Sequence, residues 1–213
     1  MAREIKVWDI LTRTFHWSLV VIFFIAYVTG DEENLLHIYS SYIIIGLLGF
    51  RLIWGIVGPR YARFSNFIFG IKPTLVYLQS VLIGRPVYYL GHNPLGGWMI
   101  IFLLVSLALT SWTGLELYAN EGKGPLATTT RDLIPAVQAN GKEEDQDDER
   151  LARENEKGNE WLEELHEATA GFTLLLVFIH IGGVFLSSWL HKENLVKAMW
   201  TGYKTPPDDF KAD

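Results

Sequence analysis

The chain has 213 residues, of which 49% are hydrophobic and 14% aromatic, with a mean hydropathy of +0.17 and a net charge of −6 at pH 7. Charged residues still make up 20%, so the apolar residues must be gathered into blocks, which points to a lipid bilayer rather than to nucleic acid as the chain's surroundings. Cysteine is absent. That excludes disulfides and thiolate-held metal clusters, and it leaves the compartment to be read from topology.

The first apolar run, Phe15 to Thr29, follows Arg3, Lys6 and Arg13. It has the look of a secretory signal, but Ala26 to Gly30 makes a weak cleavage site and removal would discard His16, so we read it as retained. Asp31-Glu32-Glu33-Asn34 follows with no base. A second run spans Ile38 to Val57. The connection from Gly58 to His92 carries Arg60, Arg63, Lys72 and Arg85. Within it, Pro73 to Ile83 predicts a helix with proline in its first turn, too short to cross a membrane and placed along the inner surface. The third run is Leu95 to Leu117 and the fourth Ala168 to Leu190, followed by Lys192, Lys197, Lys204 and Lys211. With their flanks, all four runs approach the roughly 20 residues that a spanning helix needs.

Four transmembrane helices with bases on alternate connections place both termini in the cytoplasm. The second outer connection, Tyr118 to Glu164, carries thirteen acids and six bases, a balance of −7 that leaves the rest of the chain at +1. Long loops weigh little in the orientation rule, so its six bases do not overturn the assignment. Its segment Lys142 to Arg150 is so charged that disorder or a solvated helix is expected there. A field of that sign would steer a basic partner, with an effect that fades in salt. Tryptophans mark the helix ends, with Trp8, Trp17, Trp54, Trp98, Trp189 and Trp200 on the inner side and Trp112 and Trp161 on the outer, as in an interfacial aromatic belt. There is no internal repeat of the kind transporters show. The whole of 1–213 reads as one transmembrane domain with an acidic outer insertion at about 118–164.

His166 and His180 stand fourteen residues apart in the fourth run. At about 100° and 1.5 Å per residue, both imidazoles fall near one face and about 21 Å apart along the axis. An imidazole inside a bilayer is costly to leave unpaired and is a functional candidate by default. Helix direction pairs His16 with His180 near the inner side and His37 with His166 near the outer side. Two bis-imidazole haems stacked across the bilayer satisfy that arithmetic, and without Cys-x-x-Cys-His they must be held noncovalently. His92 and His191 lie outside the runs and are not assigned as ligands. Arg51 is the one fully embedded base and is expected to pair with an inner-haem propionate. Arg13 is a second candidate for that pairing, unless it snorkels to headgroups. Gly46, Gly49, Gly171, Gly182 and Gly183 serve either close helix packing or clearance for a porphyrin face.

Thr12-Arg13-Thr14-Phe15-His16-Trp17, His37 with Arg51-Leu52-Ile53-Trp54-Gly55, Gly91-His92-Asn93-Pro94-Leu95-Gly96-Gly97, Thr113-Gly114, and the pair His166 and His180 together resemble the bacterial cytochrome b561 family, which includes the cytochrome b subunits of nickel–iron hydrogenases. The resemblance covers roughly residues 7 to 200. It implies an all-α four-helix bundle in the bacterial inner membrane, with two haems b in its core and His16, His37, His166 and His180 as iron ligands. Its implied role is electron transfer between quinone or quinol and an extracytoplasmic redox partner such as a c-type cytochrome. The membrane anchor of a hydrogenase or similar oxidoreductase is the alternative within the same chemistry, and the long acidic loop departs from the family's short connection. A histidine-lined metal or proton transporter is the competing class. It would need a polar path, yet the stretches between the histidines are almost wholly apolar.

Overall fold

Helices begin where a short polar side chain can take up an orphaned backbone N–H. Asp9 caps the first helix, α1 (Ile10–Val28), by accepting from Thr12 N at 3.0 Å, and its other oxygen takes the Thr12 hydroxyl at 2.6 Å. Asn34 caps α2 (Leu35–Val57) through Leu36 N at 3.0 Å. Pro94 opens α4 (Pro94–Asn120), with the Asn93 side chain accepting from Gly96 N at 2.8 Å. Between α2 and α4 lie a 3-10 turn, η1 (Phe64–Asn66), and α3 (Ile71–Leu82), the short surface helix expected at Pro73 to Ile83. The chain continues with α5 (Glu144–His191) and α6 (Leu195–Thr201). Two-residue strands, β1 (Ile5–Lys6) and β2 (Tyr203–Lys204), lie near the ends of the chain.

This computed structural model describes residues 4–30, 34–127 and 144–207. Arg3, Lys211, acids 31–33 of the first outer connection and residues 128–143 of the acidic one lie outside the described residues. Four helical stretches are long and apolar enough to cross a membrane: Ile10–Val28, Leu35–Val57, Pro94–Asn120 and Glu160–His191. The last belongs to a helix of 48 residues that takes in most of the acidic segment from Glu144 onward.

The described residues fall into two compact units, Met1–Val105 with Leu174–Asp213, and Ser106–Thr173. In the first, α1 packs along α2, and Trp54 Nε1 at the far end of α2 donates to the Asp9 cap of α1 at 3.2 Å. The chain ends meet in the same unit. β1 pairs antiparallel with β2, Ile5 opposite Lys204, while Val7 N and Trp8 N both donate to Gly202 O at 2.8 and 3.1 Å. Gly202 closes α6 in the left-handed region at φ 90°, and a β-carbon there would lie 2.6 Å from Trp8 O, so only glycine permits this junction. Val7, Trp8 and Ala198 form a buried cluster beneath it, flanked by Tyr61, Leu90 and Met199.

A buried ionic knot fixes the junction further. Lys204 Nζ lies 3.0 Å from Glu193 Oε2 and donates to Tyr89 O at 3.3 Å, and Tyr88 Oη donates to Glu193 Oε1 at 2.7 Å. Burial pushes Lys204 below the ordinary lysine range, opposed by the Glu193 carboxylate. Burial and the bond to Glu193 push the Tyr88 phenol above its usual range.

In the second unit the Ser106 and Thr173 hydroxyls meet at 2.6 Å, joining α4 to α5 in an apolar setting. Thr173 passes its own hydroxyl proton toward Thr169 O at 2.8 Å, so the pair is fully partnered.

Candidate haem-binding site

The first unit brings two of the expected ligands together. His16 on α1 and His180 on α5 face each other with ring centroids 6.4 Å apart and planes at 54°. A five-membered ring with bonds of about 1.33 Å holds each atom about 1.1 Å from its centroid. Adding two metal–nitrogen bonds of about 2 Å gives a separation of about 6.3 Å for two imidazoles on opposite sides of one metal. The observed distance would admit one metal between the two imidazoles, and it also lies within the range of ordinary ring packing.

His37 and His166 are each oriented by a partner on a neighbouring helix. In the first unit, His37 Nδ1 lies 2.9 Å from Ala26 O of α1. A carbonyl can only accept, so Nδ1 carries the proton and Nε2 is the imine nitrogen, the form an iron ligand needs. In the second unit, His166 Nδ1 lies 3.0 Å from Thr113 Oγ1 of α4. That hydroxyl is within reach of Leu109 O at 3.1 Å and Thr110 O at 3.0 Å, to one of which it gives its only proton. It therefore accepts from His166, setting the same tautomer. Gly114 lets the ring in, since a β-carbon there would stand 3.0 Å from His166 Cε1.

Arg51 is buried, its Nη1 donating to Ala62 O at 3.0 Å and its guanidinium lying over Phe64 and Phe67 at 4.8 and 5.7 Å. Arg13 sits one turn before His16 and donates to Trp200 O through Nη1. The structure thus gives each arginine a backbone carbonyl and leaves further donors on both. His92 is wedged between Trp8 and Phe67, with ring centroids 4.5 and 4.8 Å away. Burial first, then the cations of Arg51 and Lys204, push it down to about 3, so it is neutral. His191 rests edge-on against Tyr88 at 5.6 Å, at the ionic knot. Gly46, Gly49, Gly171, Gly182 and Gly183 have nothing within 4 Å of a β-carbon, so close helix packing does not account for them, whereas a β-carbon on Gly55 would meet the Phe64 ring at 2.0 Å.

Sequence reasoning nominated the four histidines and both arginines, placed Trp17 only in the interfacial belt, and gave neither Thr113 nor the Ala26 carbonyl a part in orienting a histidine. Thr113-Gly114, a hydroxyl beside a glycine in an otherwise apolar helix, was the available signal for the first. A backbone carbonyl leaves no trace in a sequence.

The residues present fit a tetrapyrrole. His16 and His180 stand far enough apart to admit a metal between them, and buried polar atoms without a hydrogen-bond partner include Arg13 Nε, His16 Nδ1, Trp17 Nε1 and His92 Nδ1, all in the first unit. Buried polar groups are ordinarily paired, so such a concentration marks a place where a bound group completes them.

Among the described residues, four helices are long and apolar enough to cross a membrane and two histidines face each other between α1 and α5, the make-up of a membrane cytochrome. The chain belongs to the prokaryotic cytochrome b561 family, which it matches over residues 7–202. Among its relatives is a probable Ni/Fe-hydrogenase B-type cytochrome subunit of Cupriavidus necator, 25% identical over 190 residues that cover 81% of this chain and 67% of the relative. Proteins of the same description in Azotobacter vinelandii and Azotobacter chroococcum are each 24% identical, with 96% of this chain and 90% of the relative covered. No solved structure matches the chain. The family implies haem b as cofactor, electron transport as the class of activity and a multi-pass membrane protein as the setting.

Proposed function

We propose that the chain carries electrons across the bacterial inner membrane through two haems b, one between His16 and His180 and the other between His37 and His166. The separation of 6.4 Å between the His16 and His180 rings carries this reading. Haem b held by two imidazoles supplies one-electron transfer at iron with no open position for oxygen or substrate. His16 and His180 would hold one haem through their imidazoles, and the Ala26 carbonyl and the Thr113 hydroxyl would keep His37 and His166 in the tautomer a ligand needs. Arg51 and Arg13 supply positive charge at the His16 end. Both termini lie in the cytoplasm and 1–213 acts as one domain, with quinone or quinol as the mobile partner in the membrane.

The kinship with hydrogenase B-type cytochrome subunits favours one partner over another. The extracytoplasmic end of the wire docks a hydrogenase or similar oxidoreductase, with this chain as its membrane subunit, in preference to a soluble c-type cytochrome. A metal or proton transporter is the reading these relatives do not support.

Purified protein should show reduced-minus-oxidised bands of low-spin haem b at two haems per chain. His16→Ala and His180→Ala should each deplete one haem, and His37→Ala and His166→Ala the other. Depletion of the same haem by His37→Ala and His180→Ala would break the pairing, and a colourless protein after haem supplementation would end the electron-transfer reading. Co-purification of a large redox subunit from native membranes supports the oxidoreductase partner. Isolation of the chain alone, with full electron transfer to a basic c-type cytochrome, supports the other.

A further inference from the structure

Five buried side-chain polar atoms among the described residues have no hydrogen-bond partner: Arg13 Nε, His16 Nδ1, Trp17 Nε1, His92 Nδ1 and Glu193 Oε2. The last is accounted for by the Lys204 ammonium 3.0 Å away. The other four belong to one neighbourhood. Arg13, His16 and Trp17 stand at i, i+3 and i+4 on α1, and so share a face of the helix. A β-carbon on Gly202 would meet Arg13 Nε at 3.3 Å and Trp8 O at 2.6 Å, and Trp8 in turn packs on His92. His16 and Trp17 touch edge to face at 5.1 Å.

These donors are fixed in place by apolar and backbone neighbours. Trp200 takes the Arg13 Nη1 proton on its carbonyl and packs its indole against Trp17 at 5.7 Å. Trp8 and Phe67 clamp His92 from two sides. The remaining N–H groups of Arg13 and Trp17 can only donate, so nothing but an acceptor completes them. The guanidinium is a permanent cation in a low-dielectric setting, so the acceptor it calls for is an anion rather than a neutral carbonyl. The nearby acids of the chain are already engaged, Asp9 by Thr12 and Trp54, and Glu193 by Tyr88 and Lys204.

We propose that Arg13, Trp17 and His92 form a carboxylate cradle that receives a propionate of the haem held between His16 and His180. This rests on the haem-ligand reading above. The cradle ties the cofactor to the junction of the two chain ends, because its fixed points, Trp200 and Gly202, belong to α6 and the turn before β2. It also adds two residues with no side-chain charge at pH 7 to a propionate contact set for which charge alone would nominate only arginines.

The test uses the purified holoprotein with Trp17→Phe, which deletes one N–H and keeps the aromatic bulk, and with His92→Gln as an independent second variant. The readouts are the midpoint potential of the His16/His180 haem and the propionate bending bands in resonance Raman. Each variant is measured with haem b and again after reconstitution with its dimethyl ester, which has no carboxylate. We expect each variant to lower that midpoint and shift one bending band with haem b, and to do neither with the ester, since the interaction each deletes is then already gone. Equal shifts with haem b and its ester would overturn the proposal in favour of a merely structural role. Unchanged bands and potential with haem content intact would overturn it outright, as would an effect confined to quinone affinity. If Trp17→Phe cannot be isolated with haem, His92→Gln decides by the same criteria. Failure of the ligand reading is separately visible, as a low-spin haem spectrum that survives His16→Ala undiminished.

Discussion

Thr113 is the residue whose loss should speak most directly to how His166 is held. Its hydroxyl donates to one backbone carbonyl of α4 and accepts from His166 Nδ1 at 3.0 Å. Thr113→Val keeps the shape and deletes the acceptor, leaving a buried imidazole N–H without its partner. Such an orphan costs about 1–3 kcal/mol, which corresponds to about 5- to 150-fold in an equilibrium constant. Loss of an outer-shell partner to a metal-bound histidine independently predicts about 10- to 100-fold in affinity. The two estimates overlap, so haem at His166 should be held about 10- to 100-fold more weakly while the His16/His180 haem is unaffected. The assay is haem transfer to excess apomyoglobin from detergent-solubilised protein, followed by the pyridine haemochrome. Thr113→Ser should restore retention. Equal retention in Val, Ser and parent proteins would refute the claim that this hydroxyl orients the ligand.

Arg51→Gln should lower the midpoint potential of the His16/His180 haem, because a buried cation near His92 favours the electron-rich reduced iron; an unchanged potential confines Arg51 to its bonds with the connection at Ala62, Phe64 and Phe67. Lys204→Met should lower thermal stability by about 3–5 kcal/mol, since it strands a buried Glu193 carboxylate, and adding Glu193→Leu should restore much of it. At high pH the sign follows from Tyr88. Its folded-state ionisation lies above the ordinary value of about 10, so its stabilisation is complete below that pH and is lost as pH rises through it, an alkaline loss that Tyr88→Phe should lack in thermal melts. Neutralising Glu143, Glu144, Asp145, Asp147, Asp148 and Glu149 should slow electron transfer to a basic acceptor at low ionic strength only; identical rates at all salt concentrations would leave the acidic segment no docking role.

The parts legible in the sequence were those governed by period and composition. Fourteen residues between His166 and His180 fix their face on any straight helix, and four apolar runs fix the spans, because both depend only on helix geometry and on the bilayer's thickness. The full length of α5 was not legible, as a segment such as 144–150 is equally compatible with a solvated helix and with no structure. Nor was the β1–β2 junction. Strands of two residues carry no alternation, and what fixes them is Gly202 together with a buried Lys204–Glu193 pair, a contact between residues with nothing local in common. The same holds for the supports of His37 and His166. Thr113 and Ala26 face those rings only because of how each helix is rotated, which no single helix's pattern specifies.

Those supports also make the four histidines unequal, and the inequality bears on the direction of electron flow. His37 and His166 each donate Nδ1–H to an oxygen, which shifts electron density toward Nε2 and makes the imidazole a more basic ligand. A more basic axial ligand stabilises ferric over ferrous iron and lowers the potential. On the proposed ligand set, the Arg13 and Arg51 cations stand near the His16 end of the first unit, which raises the potential of a haem held by His16 and His180. Both terms act in the same direction, so the two haems should differ with the His16/His180 haem higher, and electrons should run downhill from the His37/His166 haem toward it. A membrane subunit that takes electrons at its outer end and passes them inward would need that order. Redox titration of the parent protein, with each transition assigned by its loss in His37→Ala or His180→Ala, measures it directly. Thr113→Val should raise only the lower potential and so narrow the gap. If the His16/His180 haem is the lower of the two, hydrogen bonding at Nδ1 does not govern these potentials, and the downhill direction is the reverse.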